Sequence, residues 1–142
     1  MGRPHLARAL MDQGYVGCIR EAFDRFLATG KPAYVPKAVL SPREGMELAR
    51  RAGGVPVLAH PASYPFEPDL SALVKVGLLG VETSYPSYSL RTTGLWQQKA
   101  QQFDLIQTGG SDYHGHHRGH VQVGEATIDA QAYRSLLTAR ST

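Results

Sequence analysis

The chain has 142 residues, enough for one compact domain with a core, and its 42% apolar and 19% charged residues match globular rather than disordered proteins. A single cysteine, Cys18, excludes an internal disulfide and a thiolate-rich zinc site, so any metal must be held by the six histidines and by carboxylates. The net charge of +3 is uneven, with nine Lys/Arg against five Asp/Glu in residues 1–51 and six against seven in the remainder. A basic first third suits a phosphate-bearing partner, and equally a solvated helical surface. No apolar run reaches membrane-spanning length, and Met1-Gly2-Arg3-Pro4-His5 does not open a signal peptide. The expectation is a soluble cytoplasmic protein.

In chain order, Leu6, Ala9 and Leu10 predict a first helix ended by Gly14. Ile19, Ala22, Phe23, Phe26 and Leu27 predict a second, ended by Gly30. Lys31 to Pro36, with two prolines, reads as an extended connector. Ser41-Pro42-Arg43-Glu44 carries the signature of a capped helix start, and that helix runs to Gly53-Gly54. Val55–Ala59 is a short strand ending at His60-Pro61. Asp69 caps a helix carrying Leu70, Leu73 and Val74 to Gly77. Leu79–Thr83 is a second strand, 91–103 a helix, and Leu105–Thr108 a third strand that runs into Gly109-Gly110-Ser111-Asp112. Val121–Ile128 reads as a further short strand, and Asp129 caps a last helix. Helices alternating with short apolar strands predict βα units and a mostly parallel sheet.

In such sheets functional groups gather at the carboxyl ends of strands. His60 follows one strand directly, and Asp112 and His114 follow another. Residues two apart in extended chain point the same way, so Asp112 and His114 can grip one ion or two adjacent ions, and the preceding glycines free the backbone to turn. Imidazole with carboxylate suits zinc, manganese or iron. The competing reading of a histidine after a strand is a hydrogen-bonded structural residue, but two such clusters at strand ends of one sheet favour a metal site. His116, His117 and His120 lie in a Gly/Arg loop and read mainly as solvated side chains. Glu82 is either an acid beside the site or an outward-facing residue. Arg3 can pair with phosphate, or Arg3-Pro4-His5 is simply an exposed helix start. Cys18 reads as a small helix residue rather than a nucleophile. The chain has no GxxxxGK[ST], no GxGxxG and no GxSxG.

Gly2-Arg3-Pro4-His5-Leu6-Ala7-Arg8, Lys31-Pro32-Ala33-Tyr34-Val35-Pro36, Val57-Leu58-Ala59-His60-Pro61 and Gly109-Gly110-Ser111-Asp112-Tyr113-His114-Gly115 occur in that order. This series resembles the PHP (polymerase and histidinol phosphatase) superfamily, and within it the TrpH/YciV-like branch of metal-dependent phosphoesterases. The resemblance runs over nearly the whole chain. It implies an α/β fold, a partial distorted TIM-like (βα) barrel with the tail of a helical insertion domain. Residues 1–33 would be that insertion and 34–142 the C-terminal part of the barrel. It implies divalent metal ions, manganese first and zinc or iron as alternatives, held by His60, Asp112 and His114. Arg3 and His5 would face the substrate, a phosphorylated nucleotide or short RNA. The implied activities are removal of a phosphate from 3′,5′-bisphosphorylated nucleosides and 5′→3′ trimming of RNA.

The family's opening His-x-His, its Asp-His-Asp segment and its Gly-x-Glu bridge lie upstream of these motifs and are not in this sequence. The expectation is a C-terminal portion that needs the upstream half of the barrel for a complete site, with impaired activity alone. Ala62 stands where glycine is usual, Tyr88 where histidine is frequent, and Tyr113 where phenylalanine is. The alternatives are a non-catalytic remnant acting as a binding or self-associating module, an RNA-binding module on the basic helices, which lacks interleaved aromatics, and a polymerase-linked domain, for which the tail after residue 128 leaves no room unless the chain is cut at that end too.

Overall fold

The structure, a computed structural model, describes residues 2–36, 39–115 and 121–140. They fall into two compact units, Met1–Val39 and Leu40–Thr142. No helix among the described residues is long and apolar enough to cross a membrane.

The first unit is helical. α1 spans Arg3–Asp12, with Pro4 in the first turn, where a missing N–H costs nothing. It closes as the sequence requires. Gly14 takes φ 74°, its N–H donates to Met11 O at 3.0 Å, and Tyr15 N–H donates to Leu10 O at 3.0 Å. The buried stripe is rotated from the expected one. Ala7 is fully buried with Val16, Ala22 and Leu27, packed by Leu10, Met11, Phe23 and Phe26, while Leu6 is exposed. α2 covers Ile19–Ala22 and continues as a π-turn over Phe23–Leu27. It stops before Gly30 because Ala28 turns extended while its N–H still bonds Phe23 O at 2.9 Å. The connector starts as a turn rather than extended, since Tyr34 N–H donates to Lys31 O and Ala33 N–H to Phe26 O.

The second unit is α/β. α3 (Pro42–Arg51) begins with the expected reciprocal cap, in which Glu44 N–H donates to Ser41 Oγ at 3.3 Å and Ser41 N–H to Glu44 Oε2 at 2.7 Å. The sheet has three parallel strands, β1 (Val57–Leu58), β2 (Gly80–Ser84) and β3 (Ile106–Gly109), adjacent in chain order. α4 (Leu70–Lys75) connects the first pair and α5 (Leu90–Gln102) the second, capped by Asp69 and Ser89. α6 (Ala130–Arg140) closes the unit, and Ala132 N–H donates to Asp129 Oδ1 at 2.7 Å. Leu70, Leu78, Val81, Trp96, Ala100 and Leu105 form the core. Burying a large apolar side chain of this kind contributes roughly 1.5–3 kcal/mol.

One expected strand is absent. Val121–Ile128 forms turns, because side chains take its N–H groups: Gly124 and Ala126 N–H donate to Ser111 Oγ, and Gln122 N–H to Glu125 Oε2. No ladder partner is left to compete with these bonds.

β2 and β3 shift register between Glu82 and Ser84, where Gly109 pairs with Ser84. A Cβ on Gly109 would sit 2.5 Å from Ser84 Cβ and 2.6 Å from Ser84 O. Gly109→Ala is therefore expected to destabilise the chain by about 1–3 kcal/mol in urea unfolding, as overpacking does. Gly94→Ala is the control. It lies in the interior of α5 with no atom within 4 Å of the added methyl, and should stabilise by about 0.5–1 kcal/mol. Equal effects at the two positions would remove the close approach as the reason for glycine.

Candidate metal centre at the strand ends

Parallel strands put their carboxyl ends on one edge, and three short loops leave the sheet there. β1 delivers His60, β2 delivers Tyr85 and Tyr88, and β3 delivers Asp112 and His114.

His60 is held in an unusual conformation. Its backbone is left-handed, φ 30° and ψ 57°, a region that costs a non-glycine residue about 1–3 kcal/mol. Pro61 disfavours the right-handed helical alternative. The conformation aims the His60 N–H across the sheet at Glu82, which accepts it through Oε2 at 2.6 Å. The His60 imidazole packs between Tyr64 and Tyr85, with ring centroids 5.9 Å and 5.6 Å away. Its Nδ1 is buried and has no hydrogen-bond partner. A buried imidazole nitrogen without a partner is costly, and a cation is one group that would satisfy it.

Asp112 is also left-handed, with φ 48°. Its two oxygens face different ways. Oδ2 accepts the Tyr85 hydroxyl at 2.9 Å, and Oδ1 lies 3.3 Å from His114 Nε2. The bond that Tyr85 donates to Asp112 raises its phenol pKa, with burial adding to the effect. Tyr88 anchors the opposite loop, because its hydroxyl accepts Ala62 N–H at 2.9 Å. Burial is the main reason its phenol titrates above its ordinary value.

The structure thus brings Asp112 and His114 together and sets His60 beside them through Tyr85 and Glu82. Among the described residues, no three His, Cys, Asp or Glu side chains converge closely enough to hold an ion as they stand. The donor types fit a divalent metal, and the orphaned Nδ1 of His60 fits one too. Glu82, left open by the sequence, lies at this edge and accepts the His60 N–H.

Arg3 and His5 lie in the first unit with local partners. Arg3 Nη1 donates to Leu27 O at 3.5 Å, and its guanidinium sits 5.4 Å from the centre of the Tyr34 ring. His5 Nδ1 accepts Gly2 N–H at 3.2 Å, capping α1. Cys18 is an exposed free thiol flanking α2. His116, His117 and His120 lie outside the described residues.

Tyr85 and Tyr64 were not picked out from the sequence. The signal for Tyr85 was present, since it directly follows β2, the strand between the two that supply the histidines and the aspartate.

No family model matches the chain. It is 32% identical over 129 residues to a 3′,5′-nucleoside bisphosphate phosphatase of Chromobacterium violaceum, covering 87% of this chain and 45% of that protein. It is 37% identical over 70 residues to the 5′-3′ exoribonuclease Rnm of Salmonella typhimurium, covering 49% of this chain and 22% of the relative. In fold it matches a structure described as a metal-dependent phosphoesterase from Bifidobacterium adolescentis, with a TM-score of 0.77 and 30% identity over 97% of this chain and 50% of the other. The chain is thus similar in sequence and in fold to phosphoesterases, and spans half or less of the length of each.

Glu82 yields a pH-dependent prediction. Its carboxyl is pushed above its usual range chiefly by burial, with the charge of Asp112 adding and the His60 N–H opposing. A carboxyl raised on folding contributes stability that is full below its unfolded pKa and lost as pH rises through the folded value. Glu82→Gln keeps an acceptor and removes the charge. As pH rises from the ordinary carboxyl range through neutral, the wild type should lose stability relative to this variant in urea unfolding. Glu82→Ala leaves the His60 N–H without an acceptor and should cost about 1–3 kcal/mol. A wild type and Gln variant that track each other across this range would show that burial does not tune Glu82.

Proposed function

We propose that this chain is the C-terminal portion of a metal-dependent phosphoesterase of the PHP type, acting on nucleotides or the ends of short oligonucleotides. The observation that carries the reading is the buried, unpartnered Nδ1 of His60 at the same sheet edge as the Asp112–His114 pair. Likeness to phosphoesterases in sequence and fold supports it. Three parallel strands in chain order are also what an arc of a (βα) barrel requires. The upstream half of that barrel would supply the remaining ligands. Arg3 and His5 enter as phosphate contacts on the sequence resemblance alone.

His60, Asp112 and His114 would hold the ion, with manganese first and zinc or iron as alternatives. When bound, such an ion supplies positive charge to the phosphoryl oxygens and lowers the pKa of water. The chain's own residues do the positioning. Glu82 fixes the His60 backbone so that the imidazole stays buried with its nitrogen available. Tyr85 occupies one oxygen of Asp112 and leaves the other toward His114. On this reading water, rather than a side chain of this cluster, is the nucleophile at phosphorus. The cytoplasm suits the exposed thiol of Cys18.

A second reading is a non-catalytic piece that binds a partner or itself. The lack of any three-donor group among the described residues favours it.

Metal content by mass spectrometry and a manganese-supplemented phosphatase assay on adenosine 3′,5′-bisphosphate separate the two. On the first reading the chain retains metal, and His60→Ala and Asp112→Ala each lower its metal affinity by about tenfold or more. No metal under any loading selects the second reading, and metal retained unchanged in both variants sinks the site.

A further inference from the structure

We infer that Tyr64 and Phe66 form a stacking platform that takes the nucleobase of the ligand, so that this site selects nucleotides over sugar phosphates. The inference rests on the phosphoesterase reading for the phosphate, and on separate observations for the base.

Tyr64 and Phe66 stand in the segment Tyr64-Pro65-Phe66-Glu67-Pro68, between the turn after His60 and the cap of α4. Tyr64 is extended, φ −76° and ψ 149°, as a residue before proline should be. Residues two apart in extended chain point to one side. The two rings accordingly lie with centroids 6.4 Å apart and planes within 19° of parallel. Aromatic rings of this size usually bury themselves, yet Tyr64 is 37% and Phe66 70% exposed.

The segment is fixed in place from both sides. Two prolines restrict the backbone, so little entropy is lost when a guest stacks on it. Glu67 pairs with Lys99 of α5, and the ammonium of Lys99 sits 4.9 Å from the centre of the buried Trp96 ring. At the other end, Tyr64 packs against His60 at 5.9 Å between centroids. The rings thus run from the proposed phosphate site outward, His60 to Tyr64 to Phe66. A nucleotide has the same layout, phosphate at one end and a planar base at the other. Stacking accepts any base, because every base has a π-face. A sugar phosphate has no ring to offer and gains nothing.

The test is a titration of the full chain, with aromatic proton NMR on Tyr64 and Phe66 and calorimetric affinities. The ligands are adenosine, adenosine 5′-monophosphate and ribose 5-phosphate, with manganese present for the affinities and absent for the spectra. On this inference, adenosine 5′-monophosphate binds on the order of tenfold more tightly than ribose 5-phosphate. Adenosine alone shifts the Phe66 ring signals. Phe66→Ala and Phe66→Leu both remove that preference while leaving ribose 5-phosphate unchanged, and Phe66→Tyr restores it. The leucine variant keeps the apolar area and loses only the π-face.

Equal affinities for the two phosphates, with no shift from adenosine, overturn the platform and leave the phosphoesterase reading standing. Adenosine shifts without any affinity for ribose 5-phosphate keep the platform and count against the phosphate site. A 5′-phosphorylated dinucleotide that binds more tightly than the mononucleotide marks the base as that of an RNA end, and equal binding marks a mononucleotide.

Discussion

The bond from the His60 N–H to the Glu82 carboxylate decides where most of the site can be. It ties the carboxyl end of β1 to the middle of β2 at 2.6 Å. It holds His60 in a left-handed conformation that a histidine would otherwise leave. With the backbone turned that way, Pro61 begins a tight 3₁₀ turn over Pro61–Ser63, and Tyr64 resumes an extended path. Everything after it follows: Ala62 reaches the Tyr88 hydroxyl, and Tyr64 closes on the imidazole. Where Glu82 is ionised, its charge makes this bond stronger than an ordinary one. It also carries a cost, since burial makes Glu82 reluctant to ionise.

The same edge accumulates strain elsewhere. Among the described non-glycine residues, the left-handed ones are His60, Asp104 and Asp112. Asp104 follows the end of α5, where a short polar residue tolerates that geometry. The other two are proposed ligands. Both flank Tyr85, whose ring packs on His60 and whose hydroxyl bonds Asp112, so packing must supply the energy to hold both. Gly109, pressed against Ser84, brings β3 close to the end of β2, and Asp112 reaches Tyr85 in the loop directly after it.

The fold of the second unit was largely legible in the sequence because its signals are local. The reciprocal cap at Ser41 and Glu44, the caps at Asp69 and Asp129, and the short apolar runs each involve residues within a few positions of one another. The placement of His60, Asp112 and His114 just past strand ends was legible for a related reason, since strand ends are readable from pattern. What was not legible depends on contacts distant in sequence. Val121–Ile128 has the composition of a strand and becomes turns because Ser111 captures two of its N–H groups. Glu82 was ambiguous until His60 was seen opposite it. The buried face of α1 was displaced by about a third of a turn because its partners, Val16 and Leu27, are not predictable from the helix alone.

The site divides its labour by chemistry along one line. Carboxylate and imidazole sit at the strand ends, where the sheet fixes the backbone. Aromatic rings sit one step further out, on a proline-stiffened loop. The first group suits charge and the second suits a planar neutral surface, and neither can replace the other. Tyr85 belongs to both sets: its hydroxyl holds Asp112 while its ring packs on His60 and Tyr88. A phenylalanine there would keep the packing and release the carboxylate. The choice of tyrosine at that position therefore reads as a demand on Asp112 rather than on the core. Held in this way by Oδ2, the carboxylate keeps Oδ1 on the His114 side.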